Sequence, residues 1–280
     1  LKAAGSKNGL IGAAIVLIGS LFFLPQLQAQ AYFLLVPLAI AVWVFCVNSK
    51  ASEFSRFYKN TIIQKIVLAI CSNADYKPYQ GIPESMFSVS GLFASPDRYS
   101  SEDMISGKVD KTDFVFSEVH AQERRVSYDG KGRRQEYWTD IFKGFLFIAD
   151  FHKKFSGHTV VRNDSFFKFG FGSGRVKLES PEFESRFDTY STDEIEARYI
   201  LTPSMMERLI ALDKKFDKSV QFSYVNSSVF VAIPENRNHF EAGIWTPVTR
   251  DKVEEEFSLL CTLLSIINDM NLNMRIWTKE

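Results

Sequence analysis

Residues Thr112–Phe151 read TDFVFSEVHAQERRVSYDGKGRRQEYWTDIFKGFLFIADF. Over Thr112–Gln122, Phe114, Phe116, Glu118 and His120 alternate with Val115, Ser117, Val119 and Ala121. A period of two puts successive side chains on opposite faces, as in a strand. Ile141–Ala149 is strongly apolar and reads as a strand. Between the two lies Asp129-Gly130, a dipeptide that favours tight hairpin turns. The stretch therefore predicts long antiparallel strands over 112–122 and 135–151, and a mostly antiparallel sheet built around them.

Arg124, Arg125, Lys131, Arg133 and Arg134 fall between the apolar parts, at or near the hairpin tip. Their plain reading is a solvated end that resists aggregation. Their functional reading is a contact with anionic headgroups or a phosphorylated partner, worth about 1 kcal/mol per basic residue near a lipid surface.

Downstream, 158–162 reads as a short strand. The Phe/Gly stretch 165–175 reads as a connector. It is not a phosphate loop, since no Gly-Lys-Ser/Thr follows it. Strand character resumes over 176–190. Asp193–Phe216 is helical, with Thr202-Pro203 as an N-cap followed by proline at the first helical position. Residues 219–225 and 228–233 form a hairpin about Asn226-Ser227. The last helix, 251–270, carries Val253, Phe257, Leu260, Cys261, Leu264, Ile267 and Met270 on one side and is expected to cap the sheet.

Upstream, 51–73 has helical spacing, through Phe54, Phe57, Tyr58, Ile62, Ile66 and Ile70. Residues 74–111 are rich in turn formers and read as a long loop. That loop carries Asp97, Glu102, Asp103 and Asp110. Solvated turn residues are the plain reading, and a metal or acid/base site is the sharp one.

No charged side chain occurs between Lys7 and Lys50. The apolar runs 9–27 and 31–48, split at Pro25–Gln30, each match the roughly 17–25 residues that a helical span needs. They predict a transmembrane helical hairpin over residues 1–50. Lys2 and Lys7 precede the first run, and Lys50, Arg56, Lys59 and Lys65 follow the second. The positive-inside bias then puts both ends in the cytoplasm. An alternative is a cleaved signal peptide ending near Ala29-Gln-Ala31; the second run would still deliver the rest of the chain to the same side. Because the sequence begins at Leu1, we expect residues before it.

The chain of 280 residues balances 33 basic against 33 acidic side chains, and every acidic one lies beyond position 50. A neutral, slightly acidic globular part argues against nucleic acid as a partner. The 3 cysteines are scattered and show neither a disulfide framework nor paired metal-ligand spacing. The 26 phenylalanines fall mostly in expected strands. There is no nucleophile elbow, dinucleotide fingerprint or zinc His-Glu-x-x-His, so no cofactor and no metal is expected. His152 and His158 with Glu118 and His120 form only an imaginable ligand set.

Several stretches resemble a bacterial family of unknown function. They are Ser90-Gly-Leu-Phe with Asp97–Asp103, Ser117–Ala121, Phe142–Phe151, Leu178-Glu-Ser and, most specific, Tyr190–Pro203. The resemblance implies two N-terminal membrane helices followed by a cytoplasmic α+β domain. It implies no reaction and no catalytic residues.

The resulting expectation is an α+β protein in three parts: the hairpin 1–50, a juxtamembrane helix and long loop 51–111, and a cytoplasmic domain 112–280. It sits in the inner membrane and acts as a binding or scaffold protein. Membrane lipid, another protein, or a second copy through the hairpin are its expected partners. The alternative is a tethered enzyme using Asp97, Glu102 and Asp103 with Glu118 and His120.

Overall fold

The computed structural model describes residues 32–162, 174–242 and 248–272. The first expected membrane run, 9–27, lies outside the described residues. Among those residues no helix is long and apolar enough to cross a membrane.

The chain divides into two compact units, 1–65 with 240–254, and 66–239 with 255–280. In the first, α1 (Tyr32–Phe57) leads into a π-helical turn, Tyr58–Ile63. Pro37 stands inside α1. Lys59 is buried and lies 3.7 Å from Glu241. Lys252 donates to the Glu241 carbonyl and stands over the Tyr58 ring.

The second unit is built on one sheet. After α2 (Gln64–Ile70) come β1 (Asp75–Lys77), α3 (Glu84–Val89), β2 (Arg98–Val109), β3 (Thr112–Tyr128) and β4 (Arg134–Asp150). Then follow β5 (Thr159–Arg162), β6 (Gly174–Val176), α4 (Pro181–Glu184), β7 (Asp188–Ser191), α5 (Glu194–Ile200) and α6 (Pro203–Phe216). The chain closes with β8 (Gln221–Val225), β9 (Ser228–Pro234) and α7 (Arg250–Asp269). The nine strands among the described residues are ordered β1-β2-β3-β4-β9-β8-β5-β7-β6, with every neighbouring pair antiparallel.

The α+β class and the antiparallel sheet stand as expected, with β3 and β4 as third and fourth of the nine strands. Alternation along them sorts two cores. Phe114, Phe116 and Phe147 stack on one face at centroid spacings of 6.0–6.2 Å. Val119, Phe142, Leu146 and Ile148 point to the other, where Phe87 and Leu92 cover them. β4 meets β9 most closely at Gly144, where an added Cβ would lie 2.1 Å from the Ile233 carbonyl oxygen; only glycine fits there. Asn226 and Ser227, both with positive φ (52° and 58°), turn β8 into β9, as primed hairpin turns require.

Three expectations need correction. Residues 74–111 are not a long loop: β1, α3 and β2 occupy much of them, so the sheet unit begins at 66, not at 112. Turn-forming residues are admitted into β2 because a bulge interrupts its pairing between Glu102 and Ile105 and lets Asp103 take φ 57°. The 176–190 segment is two short strands around α4, whose N-cap Ser180 accepts the Phe183 N–H. Leu260, Leu264 and Ile267 of the last helix, and Met270 just after it, are buried as expected, but near its start Glu256 is buried and Phe257 exposed.

Candidate functional site

Pairing of β2 with β3 sets Ser100 opposite His120, and Glu102 opposite Glu118. Cross-strand partners share a face. These side chains, with Ser101, Lys143 and Asn238, line a cleft of about 120 Å³. Glu102, Glu118 and His120 come together. Asp97 does not join them: its carboxylate accepts the Arg124 backbone N–H at 2.8 Å, where β3 leaves the sheet. Asp103 is buried and accepts the Tyr76 hydroxyl. Burial and the Asp103 carboxylate hold that phenol well above its usual range.

Glu118 is the group whose chemistry the fold alters most usefully. Burial raises its pKa to about 7. The His239 backbone N–H, 3.2 Å from its Oε2, and the His239 ring work the other way, while Asp103 and Glu102 add to the rise. A carboxyl poised near neutrality can give or take a proton.

Behind it sits a buried cluster absent from the sequence reading. The His239 imidazole lies between Glu256 (Nδ1 to Oε2, 3.4 Å) and Glu235 (Nε2 to Oε2, 3.5 Å), with Phe145 tilted against the ring. Burial opposes charge on His239, but Glu256 and the other carboxylates outweigh it and raise its pKa. Burial likewise acts to raise Glu235, but hydrogen bonds from Lys218 and the Arg237 N–H bring it to about 2. Glu256 is an inner residue of α7, with the His239 imidazole beside its carboxylate.

His120 donates from Nε2 to the Asp140 carboxylate at 2.7 Å, and Gln122 donates to the same oxygen at 2.8 Å. The His120 hydrogen bond, then that of Gln122, lowers the Asp140 pKa. His152 contacts Thr112 and Asp150, and His158 contacts Ser90 and Ser223, so the imagined set of histidines is dispersed. Among the described residues no group of three or more His, Cys, Asp or Glu could hold a metal ion.

The basic residues lie along an arm rather than only at its tip. Beyond Gln122, β3 and β4 continue as a two-stranded ribbon to Tyr128 and Arg134. Arg125 pairs with Glu123, Arg133 with Asp129 at 2.9 Å, and Arg134 with Glu136 at 2.6 Å. Arg124 is 3.5 Å from Glu136. Asp129 also accepts the Lys131 and Arg133 backbone N–H groups, closing the tip. Tyr128, Tyr137 and Trp138 are exposed along the ribbon.

Fold and site together define an α+β domain on one broad antiparallel sheet, with a polar cleft on β2–β3 and a charged arm. Residues 140–272 match the profile of a family described as "Protein of unknown function (DUF3137)", which supports the resemblance to an uncharacterised domain family. No curated protein matches the chain. Among solved structures, the crystal structure of the mycobacterial trehalose monomycolate transport factor A, TtfA, is similar at 8% identity and a TM-score of 0.42. The likeness covers 77% of this chain and 97% of that one, and it is too slight to carry an argument.

Proposed function

We propose that this protein is a membrane-anchored binding or scaffold protein, with its sheet domain on the cytoplasmic face of the inner membrane. The supporting observation is the uncharged run from Asn8 to Ser49, whose second half enters the 26-residue helix α1. That helix leaves Leu38 53%, Ile40 56%, Val44 41% and Phe45 74% exposed. Large apolar side chains left exposed along one helix suit a lipid or protein contact. The basic residues Lys2, Lys7, Lys50 and Arg56 favour the cytoplasmic orientation. In native membranes the full-length chain is expected to resist carbonate extraction, and protease outside intact spheroplasts is expected to spare everything beyond Lys50. Release by carbonate, or digestion from outside, overturns the reading.

The cleft supports a second reading, a tethered enzyme in which Glu118 serves as general acid or base beside Glu102 and His120. Its supporting observation is the Glu118 pKa near 7. Any activity found should show a titration near neutrality that Glu118→Gln removes; a pH profile unchanged by that variant rejects the role.

A further inference from the structure

The two faces of the β3–β4 arm differ. Pairing sets Arg124 opposite Trp138, Val126 opposite Glu136 and Tyr128 opposite Arg134, and cross-strand partners share a face. Arg125 with Tyr137 and Ser127 with Gln135 then fall on the other face. The first face carries Val126, Trp138 and Tyr128, all exposed and the last at 68%, together with Arg124 and Arg134. The Arg98 guanidinium of β2 stands over the Trp138 ring. The second face has a single exposed aromatic ring, Tyr137, and its Arg125 is matched by Glu123.

Charge also changes along the arm. The base holds the carboxylates of Asp97, Glu123 and Asp140, engaged by the Arg124 N–H, by Arg125, and by His120 with Gln122. From Arg124 to Glu136, five cations meet two carboxylates. Glu136 is shared by Arg134 at 2.6 Å and Arg124 at 3.5 Å. Asp129 is taken by the turn and by Arg133. The outer end is therefore positive even with both acids matched. Solvation accounts for a basic ribbon, but not for a valine and two aromatic rings exposed on its more basic face. Basic residues are drawn to anionic headgroups. Trp and Tyr rings favour the headgroup level, with the apolar body inward and the polar tip toward water.

We propose that the outer end of the arm docks on an anionic lipid surface through this face, with Val126, Tyr128 and Trp138 at headgroup depth and Arg124 and Arg134 on the lipid phosphates. The choice of lipid over an acidic protein rests on the membrane reading proposed above.

The test places the full-length chain in nanodiscs of phosphatidylcholine alone or mixed with phosphatidylglycerol, and measures hydrogen exchange over 123–138. Exchange there is expected to be at least about tenfold slower on the anionic discs, as two or more basic residues near such a surface supply. Arg124→Gln with Arg134→Gln should remove the difference between discs, and so should Tyr128→Ser with Trp138→Ser. Glu136→Gln breaks the same ion pairs as the arginine variant but adds positive charge, so it should keep or enlarge the difference. Its loss in Glu136→Gln would show that the pairs only hold the ribbon closed, and overturns the proposal. Equal exchange on the two discs also overturns it and leaves an acidic protein as the occupant. A difference that survives either pair of substitutions overturns it too. A chain that does not stay with the neutral discs fails the anchor reading instead, and flotation with vesicles of the same two compositions then decides for the arm. Binding to the anionic vesicles at least tenfold tighter than to the neutral ones, and weakened by the arginine variant, upholds the arm; equal binding or none overturns it.

Discussion

The inner and outer halves of the β3–β4 hairpin are the same two strands in two environments. From Phe114 to Ala121, paired with Phe142 to Ala149, the strands are largely buried apart from the polar cleft at His120 and Lys143, and β2 and β9 flank the edges. From Glu123 to Tyr128, paired with Arg134 to Thr139, neither β2 nor β9 pairs alongside. The change falls at the register shift between Ala121 and Gln122. Composition changes at the same point, from phenylalanine and valine to arginine and glutamate. The lesson is that backbone pairing alone sustains the ribbon only while side chains on it offset each other's charge. Burial fixes the inner half, whereas the turn held by Asp129 and pairs such as Arg134–Glu136 hold the outer one.

Truncation inside the inner half should produce the largest effect. Phe147 is fully buried and stacks on both Phe114 and Phe116. Phe147→Ala removes the ring and leaves a cavity, which costs about 3–5 kcal/mol. Equilibrium denaturation in urea measures it, and a loss below about 1 kcal/mol would show that the two faces of the hairpin are not the core.

An intermediate effect belongs to the polar cleft within the inner half, where Glu118 is 7% exposed. Its folded pKa of about 7 lies above the ordinary 4.5. Between those values the folded protein keeps a proton that the unfolded chain has lost, so stability falls as pH rises through this window. The full difference is on the order of 3 kcal/mol. Glu118→Gln should flatten the dependence between about pH 5 and pH 8. A slope of the same sign should remain, because the raised pKa of His239 stabilises fully below its unfolded value and is lost as pH climbs through the folded one. Identical profiles for the variant and the parent would remove Glu118 from the account.

How much of this was legible in the sequence depends on how local the cause is. The alternation of Phe114, Phe116 and Glu118, the Asp129-Gly130 turn and the Thr202-Pro203 cap act within a few residues, and each appears where expected. β2 was hidden because Tyr99–Asp103 is written in turn-forming residues. Its strand exists through long-range pairing with β3, and its bulge gives Asp103 a conformation that polar residues tolerate. In the cleft, the Glu102–Glu118 juxtaposition follows only once that register is known. Glu256 is a charged residue held inside beside His239, a partner distant in sequence, which no local pattern encodes.

The smallest effect should come from the outer half. Trp138 is exposed on the ribbon, with the Arg98 guanidinium 4.2 Å from its ring centre. A cation over an exposed aromatic contributes about 0.5–1 kcal/mol. A double-mutant cycle with Arg98→Ala and Trp138→Ala should therefore return a coupling of that size. Neither single variant should approach the cost of Phe147→Ala, since no cavity forms on an uncovered ribbon. The arm has to be set by charge and turn geometry for this to hold. A coupling above about 2 kcal/mol, measured in the same urea titrations, would place Trp138 in a buried environment and erase the distinction between the two halves of the hairpin.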